Sequence, residues 1–316
     1  MIITNRLNWS FACLAAERSK NTHENDTMLG SATLGIEVTE PRLAARCGLG
    51  NIDPQHGGDK FEGAAIEAAC RWPLPPRNSK LVTIRPDADA LGAMAVLFLR
   101  AQGIELSSVA SERIALVAHW DKLARGHWDD WRAAHPPLLR PARAIDLAGR
   151  PLELQAINAF VRMDDVPMDA RVMGVAKWLT GSQPPHIGIA AALSYESRML
   201  ADWNEGAITA FLYPTAAIAL LKSTGTTAGG IDLAYRLAPV IIAEGQFPAG
   251  RKLTVAQFEV GFIDLPKLLH RLQRREPGWG GSHTIIGSPQ GVATQLTVDE
   301  VAELAKSTLR GVLTRN

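Results

Sequence analysis

Cysteine is scarce in this chain. There are three in 316 residues, Cys13, Cys47 and Cys70. They are scattered, odd in number and without a Cys-x-x-Cys spacing. That excludes a disulfide framework and a cysteine zinc site, and reads as the reduced thiols of a cytoplasmic protein. A surplus of charge is also lacking: 33 basic against 32 acidic residues leave +1. A general electrostatic grip on nucleic acid is therefore not expected, although a local basic pocket stays open. Long apolar runs are missing as well. The longest, "AITAFLYPTAAIALL" at 207–221, contains Pro214 and falls short of the roughly 20 residues a membrane helix needs. "WSFACLAA" has little basic charge before it and the polar "ERSKNTHENDT" after it, so it does not read as a secretory signal. Repeats and low-complexity tracts are absent, and the glycine-rich "GTTAGG" (225–230) lacks the lysine of a phosphate loop.

What the chain does have is apolar content, 47% of residues, enough for a core without covalent staples. Short β-branched runs alternate with helical stretches, the order of an α/β protein. "TLGIEV" (33–38) and "KLVTI" (80–84) read as buried strands. Residues 61–72, 90–102, 152–162, 168–180 and 188–203 read as helices, and "SERIALVAHWDKLA" (111–124) is too densely apolar to assign by periodicity. Further on, strands "AITAFLY", "PVIIAEG" and "RKLTVAQFEV" interleave with helices expected near 215–223, 264–274 and 298–310. The turn "NEG" at 204–206 marks a boundary. The expected organisation is a poorly ordered extension over 1–27, with Met28 opening the coherent chain. A parallel-sheet domain follows over 28–204, then a smaller α/β domain over 205–316, facing the first across a cleft.

One stretch raises a chemical question. "TIRPDADALGAMAVLFLR" (83–100) places Asp87 and Asp89 two apart between a strand and a long apolar helix. Ligand sites of parallel sheets lie at that carboxyl edge. In an extended segment residues i and i+2 point the same way, so the two acids can converge on one cation that removes their repulsion. The plainer alternative is a turn residue and a helix cap.

The same residues resemble the first motif of the DHH phosphoesterase superfamily, His-x-x-Pro-Asp-x-Asp-Ala-x-Gly-Ser. Pro86, Asp87, Asp89, Ala90 and Gly92 match, Ala93 replaces the small Ser, and Thr83 stands where the family's metal-binding His belongs. "GWGGSH" (278–283) resembles the Gly-Gly-His loop of the family's C-terminal substrate domain with one residue inserted. The family's second-motif Asp, its Asp-His-His and its last Asp are not intact.

The resemblance implies a metal-dependent phosphohydrolase. The expected metal ligands are Asp87 and Asp89, with His56 from the "NIDPQH" loop standing in for the missing His, and His119 and Asp121 from "AHWD". Asp53 lies in the same loop as His56. Imidazole with carboxylate suits Mn²⁺. Asp87, Asp89 and His119 would carry the chemistry. Gly280, Gly281 and Ser282 would offer three consecutive backbone donors as an anion nest beside His283, with Arg251 or Lys252 nearby. A small phosphorylated or nucleotide-type substrate fits a near-neutral chain better than a long polynucleotide, and a homodimer suits the family. The rival expectation is a degenerate, non-hydrolytic nucleotide- or anion-binding protein on the same scaffold.

Overall fold

A computed structural model describes residues 7–14, 28–54, 64–121, 128, 151–214, 217–224, 228–247, 250–289 and 292–310. The chain forms two compact α/β units. One gathers Met1–Lys122 and Leu152–Ala192, the other Leu123–Pro151 and Leu193–Asn316.

The first unit is built on a parallel four-stranded sheet of order β1-β4-β2-β3, from β1 (Ser10–Cys13), β2 (Thr33–Ile36), β3 (Asn51–Ile52) and β4 (Lys80–Thr83). The strands are short because each is a small apolar run closed by turn residues. Strand β1 lies within the segment expected to be an extension. Trp9 and Phe11 are buried, and Ser10–Cys13 register against Lys80–Thr83, so "WSFAC" is a sheet edge anchored by alternate apolar side chains.

Helices α2 (Ala65–Ala69), α3 (Ala88–Ala101) and α6 (Met168–Leu179) pack in sequence, with α4 (Ser108–Asp121) and α5 (Leu152–Val161) against them. A further helix, α1 (Pro41–Ala44), follows β2. Helix α3 is buried along Ala88–Leu99, which is why "ADALGAMAVLFL" is apolar on every face rather than along a stripe. The five-residue α2 is too short to stand alone, and α3 holds it at both ends. Asp89 accepts from the Ala65 and Ile66 N–H groups at 2.7 and 2.8 Å. Three turns later, Arg100 donates to the Ala69 and Trp72 carbonyls at 2.7 and 2.8 Å. The acid sits at the positive end of α2 and the base at its negative end, as the helix dipole prefers. Gly92 permits this closeness, since a Cβ there would lie 2.5 Å from Ile66 Cδ1.

The second unit carries a mixed six-stranded sheet of order β5-β6-β7-β8-β10-β9. Its strands are β5 (Ile208–Leu212), β6 (Ile218–Ser223), β7 (Val240–Phe247), β8 (Gly250–Gln257), β9 (Gly280–Gly281) and β10 (Ile285–Gly287). Only β6 and β7 run parallel. Helix α7 (His186–Asn204) spans the division between the units. Helices α8 (Ala228–Ala234), α9 (Leu265–Arg275) and α10 (Val298–Lys306) complete the second one. Where a helix was expected near 215–223, the chain forms β6. Ile218–Leu221 are buried with strands on both sides, and a continuous apolar run serves a doubly flanked strand as well as a helix.

The three cysteines are free. Among the described residues no helix is long and apolar enough to cross a membrane.

Candidate metal centre

The carboxyl edge of the parallel sheet collects acids from four chain segments. Asp87 is the extended N-cap of α3, and one of its oxygens accepts from Ala90 N–H at 3.0 Å. Asp89 lies inside the first turn of that helix, 2% exposed, and grips α2. The two acids therefore do not leave the strand side by side on an extended segment. One caps its own helix and the other caps a neighbour. Asp121 is the last residue of α4, an unfavourable end of a helix for an anion.

The acid that completes the cluster was not singled out in the sequence. Glu37 follows the last residue of β2, and its backbone is held firmly. Its N–H donates to Ile52 O at 2.9 Å. The next residue, Val38, exchanges two hydrogen bonds with the Asn51 side chain, at 3.2 and 3.1 Å. Between these restraints Glu37 adopts φ 51°, a left-handed conformation that costs a non-glycine residue about 1–3 kcal/mol. Its side chain is 8% exposed and makes no hydrogen bond with the described residues. One carboxylate oxygen from each of Glu37, Asp89 and Asp121 lies within 4.8 Å of the others.

The electrostatics of this arrangement are unfavourable for bare anions. Two unit charges 4.8 Å apart repel by roughly 3.5 kcal/mol at an effective dielectric of about 20. Burial, reinforced by Asp87, Asp89, Asp121 and Asp53, pushes the Glu37 carboxyl up to about 10. All four charged neighbours acting on it are acids. Asp89 is also raised well above the usual carboxylate range. Burial is the main cause and Asp121 adds to it. The N–H groups of Ile66 and Ala65 work in the opposite direction, and Asp87 raises it further. Without a cation, then, Glu37 keeps its proton at neutral pH.

A divalent ion resolves the same conflict. An ion holding oxygens at roughly 2.1–2.5 Å leaves about 3–5 Å between its ligands, the spacing found here. The donor set is all oxygen among the described residues, which suits a hard cation such as Mg²⁺, Ca²⁺ or Mn²⁺.

The remaining expected residues fall out differently. His56 lies outside the described residues. His119 is exposed, its ring edge-on to Trp120 with centroids 5.5 Å apart. It precedes Asp121 by two positions on a helix, so the two side chains leave nearly opposite faces. Asp53, just past β3, is close enough to act on Glu37. The Thr83 hydroxyl is engaged with its own chain. It accepts from Arg85 N–H and donates to Arg85 O, both at 3.2 Å.

In the second unit the "GWGGSH" stretch is a tight hairpin. Gly280 and Gly281 pair with Gly287 and Ile286, and Ser282 N–H donates to Ile285 O at 2.7 Å. The run of three free backbone donors is thus broken at Ser282. Gly281, at φ 144°, is required because a Cβ would meet Ile285 O at 2.2 Å. The His283 carbonyl accepts from the Gln257 amide, while the residue itself is exposed. Arg251 is turned to the Leu296 carbonyl at 2.8 Å.

No protein-family model matches the chain, and no curated protein does either. Among solved structures it is similar to PggH from Vibrio cholerae, described as a pGpG-specific phosphodiesterase. The identity is 12%, the TM-score 0.41, and the match covers 87% of this chain and 96% of that one. An overlap this loose assigns no function.

Proposed function

We propose that this chain is a metal-dependent phosphohydrolase acting on a small phosphorylated or nucleotide-type substrate, with its divalent ion, Mn²⁺ by preference, held by Glu37, Asp89 and Asp121. The observation that carries the reading is the buried Glu37 carboxylate, strained at its backbone and aimed at two further acids. Three carboxylates this close need protons or a cation to offset their repulsion, and one divalent ion offsets all three at once. A bound divalent ion lowers the pKa of water and polarises a phosphoryl oxygen.

The chain's own residues do the rest. The double N–H grip from α2 fixes Asp89, and the clamp from Asn51 and Ile52 fixes Glu37, so the ligands are pre-set and lose little freedom on loading. Asp87 is half-buried and tied to the helix by one oxygen only. In this reading it accepts a proton from an attacking water. His56 remains a candidate further ligand, and His283 with Gly280, Gly281 and Ser282 a candidate contact for a non-scissile phosphate. The His283 imidazole and the glycine N–H groups are the donors in that part of the reading.

The second reading, a non-hydrolytic anion- or nucleotide-binding protein, is favoured by one feature. The Thr83 hydroxyl and the exposed His119 leave the described cluster without an imidazole. Metal content of the purified protein, measured beside hydrolysis of phosphomonoester, phosphodiester, dinucleotide and pyrophosphate substrates with Mn²⁺, separates the two. Bound metal with turnover that Asp87→Asn abolishes supports the hydrolase. Asparagine still caps α3, so the fold is retained. Nucleotide affinity without metal or turnover supports the binder.

A further inference from the structure

Asn158 sits on α5, which packs against α3. Its side-chain oxygen accepts from Ala88 N–H at 3.3 Å, the backbone donor lying between Asp87 and Asp89. A backbone N–H can only donate, so the facing amide atom must be oxygen, and that fixes the NH₂ group at the other end of a rigid planar unit. Among the described residues no acceptor takes those two hydrogens, and Asn158 is half-buried.

Near the start of a helix an amide and a carboxylate both serve as acceptors, and beside Asp87 and Asp89 the neutral one adds no repulsion. An amide also brings a donor. The donor also has a particular virtue beside this cluster. An Arg or Lys at the same place would pair with the acids and compete with a metal for them, whereas a neutral amide can hold a phosphoryl oxygen while leaving the carboxylates free.

We propose that Asn158 is a substrate-contacting residue, its oxygen locked on Ala88 and its NH₂ donating to a phosphoryl oxygen of the ligand held at the acid cluster. The inference rests on the phosphohydrolase reading above.

Asn158→Asp keeps the acceptor and removes the donor, while Asn158→Ala removes both. The test titrates Mn²⁺ into the full chain, then inorganic phosphate into the Mn²⁺-loaded protein, with Tm recorded for each variant. The expected result is unchanged Mn²⁺ affinity in Asn158→Ala and phosphate binding weakened about tenfold in both variants. That weakening should persist in Asn158→Asp at high salt, where the added charge is screened. Tm should fall in Asn158→Ala, and in metal-free Asn158→Asp through repulsion from Asp87 and Asp89. If wild type binds Mn²⁺ and the two variants bind phosphate within twofold of it, Asn158 is only a cap and the inference fails while the metal reading stands. The inference also fails if loaded wild type does not bind phosphate. If wild type does not bind Mn²⁺, the phosphohydrolase reading falls and takes the inference with it.

Discussion

Replacing Glu37 by glutamine should make the metal-free protein more stable, although it removes a metal ligand. The native carboxyl is pushed up to about 10 from an ordinary 4.5. Its native pKa therefore exceeds its unfolded one, and the native state holds the proton more tightly. The associated stability is fully present below about pH 4.5. It drains away as pH rises through neutrality, and the loss is complete once Glu37 ionises in the folded protein. Between pH 4.5 and 7 the unfolded chain gains about 1.4 kcal/mol per pH unit, roughly 3.5 kcal/mol in all. Glutamine copies the protonated acid in shape and does not titrate. In chelator-treated protein at pH 7, Glu37→Gln should thus be more stable by roughly 3 kcal/mol, about 10 °C in the Tm of the first unit. At pH 4.5 the two curves should converge. Mn²⁺ at a thousandfold excess over Kd should reverse the order, since wild type gains about 4.1 kcal/mol and the variant, with a ligand lost, gains little. Thermal unfolding across pH 4.5–8, with and without Mn²⁺, measures all of this. If Glu37→Gln is destabilised at pH 7 without metal, a counter-charge already neutralises the cluster and the reasoning is wrong.

The other acid should respond with the opposite sign. Asp89→Ala leaves two buried N–H groups of α2 without an acceptor, at a cost of about 2–5 kcal/mol. Hydrogen exchange at Ala65 and Ile66 should accelerate, and Mn²⁺ binding should be lost. Gly92→Ala drives a Cβ to 2.5 Å from Ile66 Cδ1. It should cost about 1–3 kcal/mol in denaturant unfolding, and weaken Mn²⁺ binding through the displaced α2 grip on Asp89. Unchanged metal affinity would show that α2 does not pre-set the ligand.

Much of the scaffold was legible in the chain because buried parallel strands and a buried helix leave strong patterns. "KLVT" followed by "ADALGAMAVLFL" reads as strand, turn and helix, and so it folds. Asp87, Asp89 and Asp121 were legible as candidates because acids at such edges are chemically conspicuous. Glu37 was not. It follows "TLGI" as one more residue of a strand, and nothing local says that a positive φ turns it into the sheet edge. That turn is made by Asn51 and Ile52, across a strand pairing that periodicity does not reveal. The β6 strand was hidden for a related reason, since an apolar run has no period with which to choose between strand and helix. The Gly-Gly loop was legible as a turn, but the loss of Ser282 as a donor depends on its partner at Ile285.

The most direct test of the metal centre is a crystal of the full chain grown with Mn²⁺, with diffraction recorded on both sides of the manganese absorption edge. The account predicts an anomalous peak among the carboxylates of Glu37, Asp89 and Asp121, at roughly 2.1–2.3 Å from at least one oxygen of each, and no such peak in Asp89→Ala. An ordered cluster with no anomalous signal, or manganese bound only elsewhere on the molecule, would contradict it.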